Sequence, residues 1–445
     1  MTTETVNIMD LMNRNFYSFW LNEKPHSILS GGRSSMKSSV ISLKLVIDFL
    51  EDEDGNVVCL RKVGKYLSGS VYEQIKWAIY MLGVQDEFTF GKSPLVIKHK
   101  RTETGFYFHG VDDPLKLKSM NIAKGHYMAL WFEELAEFAG VEDIDIVEDT
   151  FIRQDLGDRQ VKVYYSYNPP RNPYSWVNEW KDSKASDSDY FIHHSTYMDD
   201  EKGFLSKQMI RKIEQYKEND PDYHDWMYGG AVIGMGDNVY NMNLFKSLEE
   251  LPDNDRIIAL YYALDTGHSV SATTCGCYGL TAKGDVILLN TYYYSPAGRV
   301  EKKAPSELSK DINAFLTATS TNEHWKGARI QNRTIDSAEA ALRNQYYKDF
   351  GQRWNPVAKK DKIVMIDYPH DLLAQGRFYY LKKPYATGLK YADSNDVFIE
   401  EHRKFSWDPD SLKTPKPKVV EVDDHTCDQF IYFCLDNAYD LKLKV

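Results

Sequence analysis

The sequence predicts a two-unit α/β protein, and three observations carry that expectation. In the first half, short β-branched or aromatic runs (SILSGG, VVCLRK, YMALWF, VKVYYSYNPP) alternate with longer helical patterns (VISLKLVIDFL, VYEQIKWAIYML). From RIIALYYALD onward, a strand hairpin is followed by alternating helices and strands. Between about Lys181 and Asp255 the chain turns polar and carries the turn signals KENDPDY, YGG, GMGDN and LPDND. Alternating strand and helix is the pattern of a largely parallel sheet covered by helices, and the polar stretch marks a boundary. The expected organisation is a first domain over residues 1–180, a helical connector over 181–254 and a second domain over 255–445.

Composition agrees with two cores. A chain of 445 residues exceeds the ~100–200 residues of an ordinary domain. Hydrophobic residues at 42% and aromatics at 13% exclude a wholly disordered chain. A net charge of −11 argues against nucleic acid held by bulk charge alone and leaves room for a local basic groove. No apolar run is long enough to span a bilayer, and the N-terminus lacks the pattern of a signal peptide. The five dispersed cysteines read as free thiols of a cytosolic protein, and the single-residue spacing of Cys275 and Cys277 matches no zinc motif.

Taken in order, the first informative element is SILSGGRSSMKSS. A short apolar run enters a Gly-rich turn that ends in Lys37-Ser38 at the start of an amphipathic helix. Backbone N–H groups at such a helix start cradle phosphate oxygens, the Lys neutralises them and the hydroxyl ligates Mg²⁺. Gly31, Lys37 and Ser38 meet the G-x-x-x-x-G-K-S/T pattern, with Met36 in place of its second Gly. A Ser/Gly turn before an ordinary helix is the plainer alternative. YMALWFEELAEF then reads as a buried strand ending in Glu133 and Glu134. In a phosphate-loop ATPase one acid there supports Mg²⁺ and the next polarises the attacking water, whereas an isolated acidic pair also caps helices. VKVYYSYNPP ends a strand in Ser166-Tyr167-Asn168-Pro169, a candidate γ-phosphate sensor at Asn168.

In the second half, RIIALYYALD is a strand ending in Asp265. TTCGCYGLT and GDVILLNTYYYS pair through the turn at residues 282–285. Helical SELSKDINAFLTAT precedes the strand GARIQNRTID, which ends in Asp336, and helical SAEAALRNQYYKDF follows. A helix from about Asp424 to Asp440 would place His425 and Asp428 on one face, with Asp424 a turn before Asp428. Three or four carboxylates and a His can hold two hard divalent cations for in-line phosphodiester hydrolysis. Each Asp alone is more often a cap or turn residue. Lys413, Lys416 and Lys418, with Lys359, Lys360 and Lys362, are candidate DNA-phosphate contacts, although solvated charged loops look the same in sequence.

With these residues in place, the chain resembles, over nearly its whole length and in motif order, the large terminase subunit of tailed bacteriophages. SGGRSSMKSS resembles that family's Walker A loop, including Arg33 within it. WFEELAEF resembles its Walker B strand, and YSYNPP its coupling motif. VVCLRKVGKYLSGSVYEQIKWAI and FHGVDDPLKLKS are similar to further family segments, and YGGAVIGMGDNVYN to its connector. D-H-x-x-D at residues 424–428 is similar to the acidic C-terminal helix of terminase nucleases.

The resemblance implies an N-terminal P-loop ATPase domain of the RecA-like (ASCE) type and a C-terminal RNase H-like nuclease domain. It implies that Gly31, Gly32, Arg33, Ser34, Ser35, Met36, Lys37, Ser38 and Ser39, with Glu133 and Asn168, bind ATP and Mg²⁺. Ser38 would ligate the metal, and Glu134 and Arg33 would be catalytic. Asp265, Asp336 and Asp428 would be the nuclease acids and, with His425, would bind two Mg²⁺ or Mn²⁺ ions. The family departures are Met36, Ser34 and Glu133, the last standing where many ATPases have Asp.

The implied function is a motor subunit that hydrolyses ATP to move double-stranded DNA into a procapsid and cuts the concatemer. Its implied partners are DNA, a portal protein, a small terminase subunit and further copies in a ring, with no membrane. Its implied location is the host bacterial cytoplasm, transiently the portal vertex, and not the mature virion. An RNase H-like nuclease or integrase with an accessory ATPase, and a scaffold with a decayed nucleotide site, are the alternatives from other classes.

Overall fold

The computed structural model describes residues 7–113, 115, 117, 122–153, 155–157, 159–267, 271–297 and 302–444. Pro114, Lys116, Lys118 and Ser119 of the FHGVDDPLKLKS stretch lie outside the described residues. The chain forms two units, one of Met1–Lys217 with Pro221–Gly234 and one of Glu218–Asp220 with Met235–Val445.

The first unit is built on eight strands: β1 (His26–Gly31), β2 (Gly55–Arg61), β3 (Phe88–Lys92), β4 (Leu95–His99), β5 (Gly105–Gly110), β6 (His126–Glu133), β7 (Lys162–Tyr167) and β8 (Tyr190–Ser195). They lie in the order β3-β4-β5-β2-β6-β7-β1-β8. From β5 to β8 every pairing is parallel; β3 and β4 add antiparallel strands at one edge. The helices are the short α1 (Tyr17–Trp20), then α2 (Lys37–Glu51), α3 (Val71–Met81), α4 (Val141–Ile152), α5 (Trp176–Ser183), α6 (Lys207–Asn219) and α7 (Pro221–Met227).

Alternate residues of the parallel strands feed two cores, as a sheet covered on both faces requires. Leu29, Val57, Cys59, Ala129, Trp131 and Tyr164 pack against α2 and α3. Ile28, Val58, Leu60, Leu130, Phe132 and Val163 pack against α4 and α5. Because β7 lies between β1 and β6, Asn168 at its end falls between the Gly-rich loop and the two glutamates.

The unit extends past residue 180. The polar stretch expected as a connector supplies β8, which pairs in parallel with β1 from His26 to Gly31. As an edge strand β8 is only half buried, so no apolar run marks it in the sequence.

The second unit has β9 (Lys246–Leu248), β10 (Ile257–Asp265), β11 (Thr273–Thr281), β12 (Val286–Tyr294), β13 (Arg329–Ile335), β14 (Asn355–Pro356) and β15 (Phe378–Leu381). The sheet order is β14-β13-β10-β11-β12-β15-β9. β10, β11 and β12 form an antiparallel meander, and β13 runs parallel to β10. Helices α8 (Pro305–Ser320) and α9 (Ala340–Phe350) cover one face. Helices α10 (Lys362–Ala374), α11 (Asp396–Lys404) and α12 (His425–Asp436) cover the other. All five cysteines are buried free thiols, and Cys427 and Cys434 lie on the core side of α12. No helix among the described residues is long and apolar enough to cross a membrane.

Candidate functional site

In the first unit the site grows from the end of β1. Gly31 has φ +152°, and a Cβ there would stand 1.9 Å from the Ser195 carbonyl oxygen. A Cβ on Gly32 would stand 1.8 Å from the Tyr228 carbonyl oxygen. Both positions therefore require glycine. The Gly32 N–H donates to Ser195 O (3.1 Å) and the Arg33 N–H to Met227 O (2.8 Å). The end of β8 and the Tyr228-Gly229-Gly230 turn thus form the back wall of the loop. Nothing in the YGG string announced that role; its only signal was an adjacent glycine pair. Gly32→Ala should destabilise the first unit by ~1–3 kcal/mol through overpacking against backbone, read as an earlier denaturation midpoint at unchanged slope.

Ser34 and Met36 both adopt left-handed backbone, with φ of 64° and 69°. Met36 takes the conformation that the usual glycine would take. Its thioether accepts a hydrogen bond from Asn13 Nδ2 (3.5 Å), and its side chain, partly buried, packs on the α2–α3 core. Such strain costs on the order of 1–2 kcal/mol per residue and is retained where the loop shape is over-determined.

Lys37 opens α2 and is buried. Its ammonium donates to Gly31 O (3.1 Å), Gly32 O (3.0 Å), Ser35 Oγ (3.1 Å) and Asn168 Oδ1 (2.9 Å). Burial pulls its pKa down to about 8, against the attraction of Glu134. Ser38 and Ser39 follow in the first turn of α2. Arg33 lies within electrostatic reach of both Lys37 and Glu134.

β6 ends in Glu133, opposite Ser166 of β7. Burial and the neighbouring Glu134 push Glu133 up to about 7. Its Oε2 is buried without a hydrogen-bond partner, 3.8 Å from Arg61 Nη1. A buried carboxylate oxygen without a hydrogen-bond partner is a donor that suits Mg²⁺, directly or through water. Glu134 sits in a left-handed kink (φ 53°), and burial raises its pKa as well. Arg61, at the end of β2, grips Glu137 with two hydrogen bonds (3.2 and 3.1 Å) and faces Glu133.

In the second unit the predicted acids meet at one end of the sheet. Asp265 closes β10 and Asp336 follows the parallel β13, with the Asp336 N–H donating to Leu264 O (3.3 Å). α12 starts at His425, one residue after Asp424 and well short of the expected reach to Asp440 at its far end. His425, Asp428 and Tyr432 follow at spacings that share one helix face. The Ala272 N–H donates to His425 Nε2 (3.3 Å), which leaves Nδ1 to carry the neutral ring's proton towards Asp265 Oδ2 (3.3 Å). That carboxylate also raises the imidazole's pKa.

Burial, then the charges of Asp428 and Asp336, push Asp265 up to about 6. Burial and Asp428 do the same to Asp424, also to about 6. Tyr432, absent from the sequence expectations, donates its hydroxyl to Asp336 Oδ2 (3.3 Å) and feels all three acids.

Among the described residues no three His, Cys, Asp or Glu side chains already stand at metal-ligating distances. Positive charge comes instead from Lys359, 2.8 Å from Asp336 Oδ2, and Lys362, paired with Asp428 Oδ1. Two ammonium groups thus stand against these acids, and the oxygen-rich donor set suits a hard divalent ion. Of the candidate phosphate contacts at 359–362, Lys359 and Lys362 pair with acids of the site, and Lys360 bonds the Tyr368 hydroxyl. Lys413, Lys416 and Lys418 are exposed.

Comparison with known proteins agrees in both halves. The family model described as phage terminase large subunit matches residues 23–231, and that of the terminase RNase H-like domain matches residues 265–436. The large terminase subunit of Bacillus phage SPP1 is 35% identical over 211 residues, 47% of this chain and 49% of its own length. The PBSX phage terminase large subunit of Bacillus subtilis is 24% identical over 237 residues, 49% of this chain and 52% of its own. The chain spans about half the length of the curated relatives it matches. The solved large terminase of a thermophilic bacteriophage superposes with a TM-score of 0.75 at 17% identity, covering 96% of this chain and 98% of that one. An ADP complex of the same thermophilic-phage protein gives 0.72 at 16% identity, covering 95% and 98%. An ATPase-type sheet and an RNase H-like sheet, each matched by its family model, make this chain a member of the phage terminase large subunit family.

Proposed function

We propose that the chain is a DNA-packaging motor subunit that couples ATP hydrolysis in its first unit to movement of duplex DNA, and cuts that DNA in its second. The observation that carries this is the Lys37 cradle, in which one ammonium joins the Gly-rich loop to Asn168 beside Glu134.

In the first unit Lys37 exchanges its bonds to the loop carbonyls for the β and γ phosphates of ATP. The loop N–H groups and the start of α2 hold phosphate oxygens. Ser38 and Glu133 would hold Mg²⁺, which neutralises developing phosphate charge. Glu134 orients and deprotonates the attacking water. Its burial, which raises its pKa, makes it a stronger base once ionised. Arg33 stabilises charge on the γ-phosphate. Asn168, released when Lys37 turns to nucleotide, reports occupancy to the loop that follows β7.

In the second unit Asp265, Asp336 and Asp428 would hold two Mg²⁺ or Mn²⁺ ions, which would activate water and stabilise the leaving oxygen. His425, its Nδ1–H directed at Asp265, orients that carboxylate. The ADP-bound relative from the thermophilic phage supports the nucleotide reading. Duplex DNA, a portal protein, a small terminase subunit and further copies in a ring are the partners this reading requires, in the cytoplasm of a bacterial host and at a procapsid's portal vertex.

The test uses the full chain. Mg²⁺-dependent ATP turnover and Mn²⁺-dependent plasmid cleavage are both expected, and ATP-driven DNA movement once portal complexes are supplied. A folded chain that does neither chemistry would return the scaffold reading. One that does both without moving DNA in a complete motor would return the nuclease with an accessory ATPase.

A further inference from the structure

One short segment delivers both lysines to the second unit's acids. Val357, buried, donates its N–H to Ile335 O of β13 (2.9 Å), and α10 begins at Lys362. Between these anchors residues 358–361 are exposed. Lys359 reaches back to Asp336 and lies 5.2 Å from the Tyr432 ring centroid. Lys362 reaches Asp428, with the Phe405 ring 5.9 Å away. The two side chains remain 38% and 27% exposed, so each can leave its carboxylate for water or for a phosphate without unpacking the core.

We propose that Lys359 and Lys362 are exchangeable counter-ions, which neutralise Asp336 and Asp428 before metal binds and pass to the DNA backbone phosphates once divalent cations take their place. This rests on the nuclease reading of the site. The charges give the reason. Asp428 and Asp336 both bear on Asp265, and Asp428 on Asp424, while the ammonium groups of Lys359 and Lys362 stand against Asp336 and Asp428. Two dications on the same acids would leave two cations facing a positive centre. A phosphodiester entering the site would offer them a new anionic partner. No covalent bond to either lysine forms or breaks. Metal loading and DNA engagement would then favour each other, and an empty nuclease would be held closed by its own side chains.

The experiment is Mn²⁺ binding to the full chain, followed by electron paramagnetic resonance of free Mn²⁺. It compares wild type, Lys359→Ala/Lys362→Ala, the single Lys359→Ala in case the double variant folds poorly, and Asp428→Asn as the site control. DNA binding is read in parallel as the salt dependence of anisotropy with a labelled duplex in Ca²⁺. Removing both lysines should tighten Mn²⁺ about tenfold, two half-buried pairs being worth roughly one decade together. It should also lower the salt slope by up to ~1.8, at about 0.9 per phosphate contact. Unchanged or weaker Mn²⁺ binding in a folded variant would overturn the exchange, whatever DNA does. No Mn²⁺ binding sensitive to Asp428→Asn in any form would overturn the nuclease reading along with it.

Discussion

Lys37→Ala is expected to reduce kcat/KM for ATP by ~10²-fold or more, as loss of a preorganised charge at a developing phosphate charge does. The protein should stay folded. The substitution removes a buried ammonium whose burial already depresses its pKa to about 8, while Asn168 and Ser35 lose one partner each. Two readouts separate site from scaffold: ATP turnover by the full chain, and the gain in Tm on adding ATP and Mg²⁺. Wild type should gain stability with nucleotide concentration, because a ligand that binds only the folded state shifts the unfolding equilibrium. The variant should gain little. Full turnover in Lys37→Ala would remove the Gly-rich loop from the mechanism.

Asp265→Asn should abolish metal-dependent plasmid cleavage, with a loss beyond the ~10–100-fold that outer-shell partners of a metal carry. Its effect on stability should run the other way. The fold holds the Asp265 proton more tightly than the unfolded chain does, since its pKa is raised to about 6. The stability tied to that proton is complete below the ordinary carboxylate value and is lost as pH rises through about 6. At pH 8 without metal, Asp265→Asn should therefore melt at or above wild type while cutting no DNA. In wild type, Mn²⁺ affinity should climb as pH rises towards and through 6, because the ion must displace that proton. Cleavage that survives Asp265→Asn, or Mn²⁺ affinity flat from pH 5 to 7, would place the metal elsewhere.

Much of both sites could be read without a fold because each chemical group stands at a junction between regular elements. Short apolar, β-branched or aromatic runs located β1, β6, β7, β10 and β13, and the polar residue at the end of each was the candidate: the loop after Gly31, Glu133, Asn168, Asp265 and Asp336. Helical spacing alone put His425 and Asp428 on one face. The sequence also carried the family, since those groups recur in a fixed order along the chain.

The rest depended on which strands lie side by side, and no local pattern encodes that. β8 is a half-exposed edge strand in a polar stretch, yet it and the Tyr228-Gly230 turn hold the phosphate loop from behind, and their closeness explains why Gly31 and Gly32 admit no side chain. Met36, an outlier in the motif, adopts a glycine's backbone because a pocket on the α2–α3 core receives its side chain. Tyr432 carries no motif, and Arg61, Lys359 and Lys362 carried no sign in the sequence of which acids they would face. They became part of the sites only when parallel pairing of β2 with β6 and of β10 with β13 brought distant carboxylates together. Propensity and periodicity act over a few residues and determined the elements and their chemical ends. Backbone contact and charge pairing act through space, so the strand order decided which residues wall the loop and which cations stand against the acids.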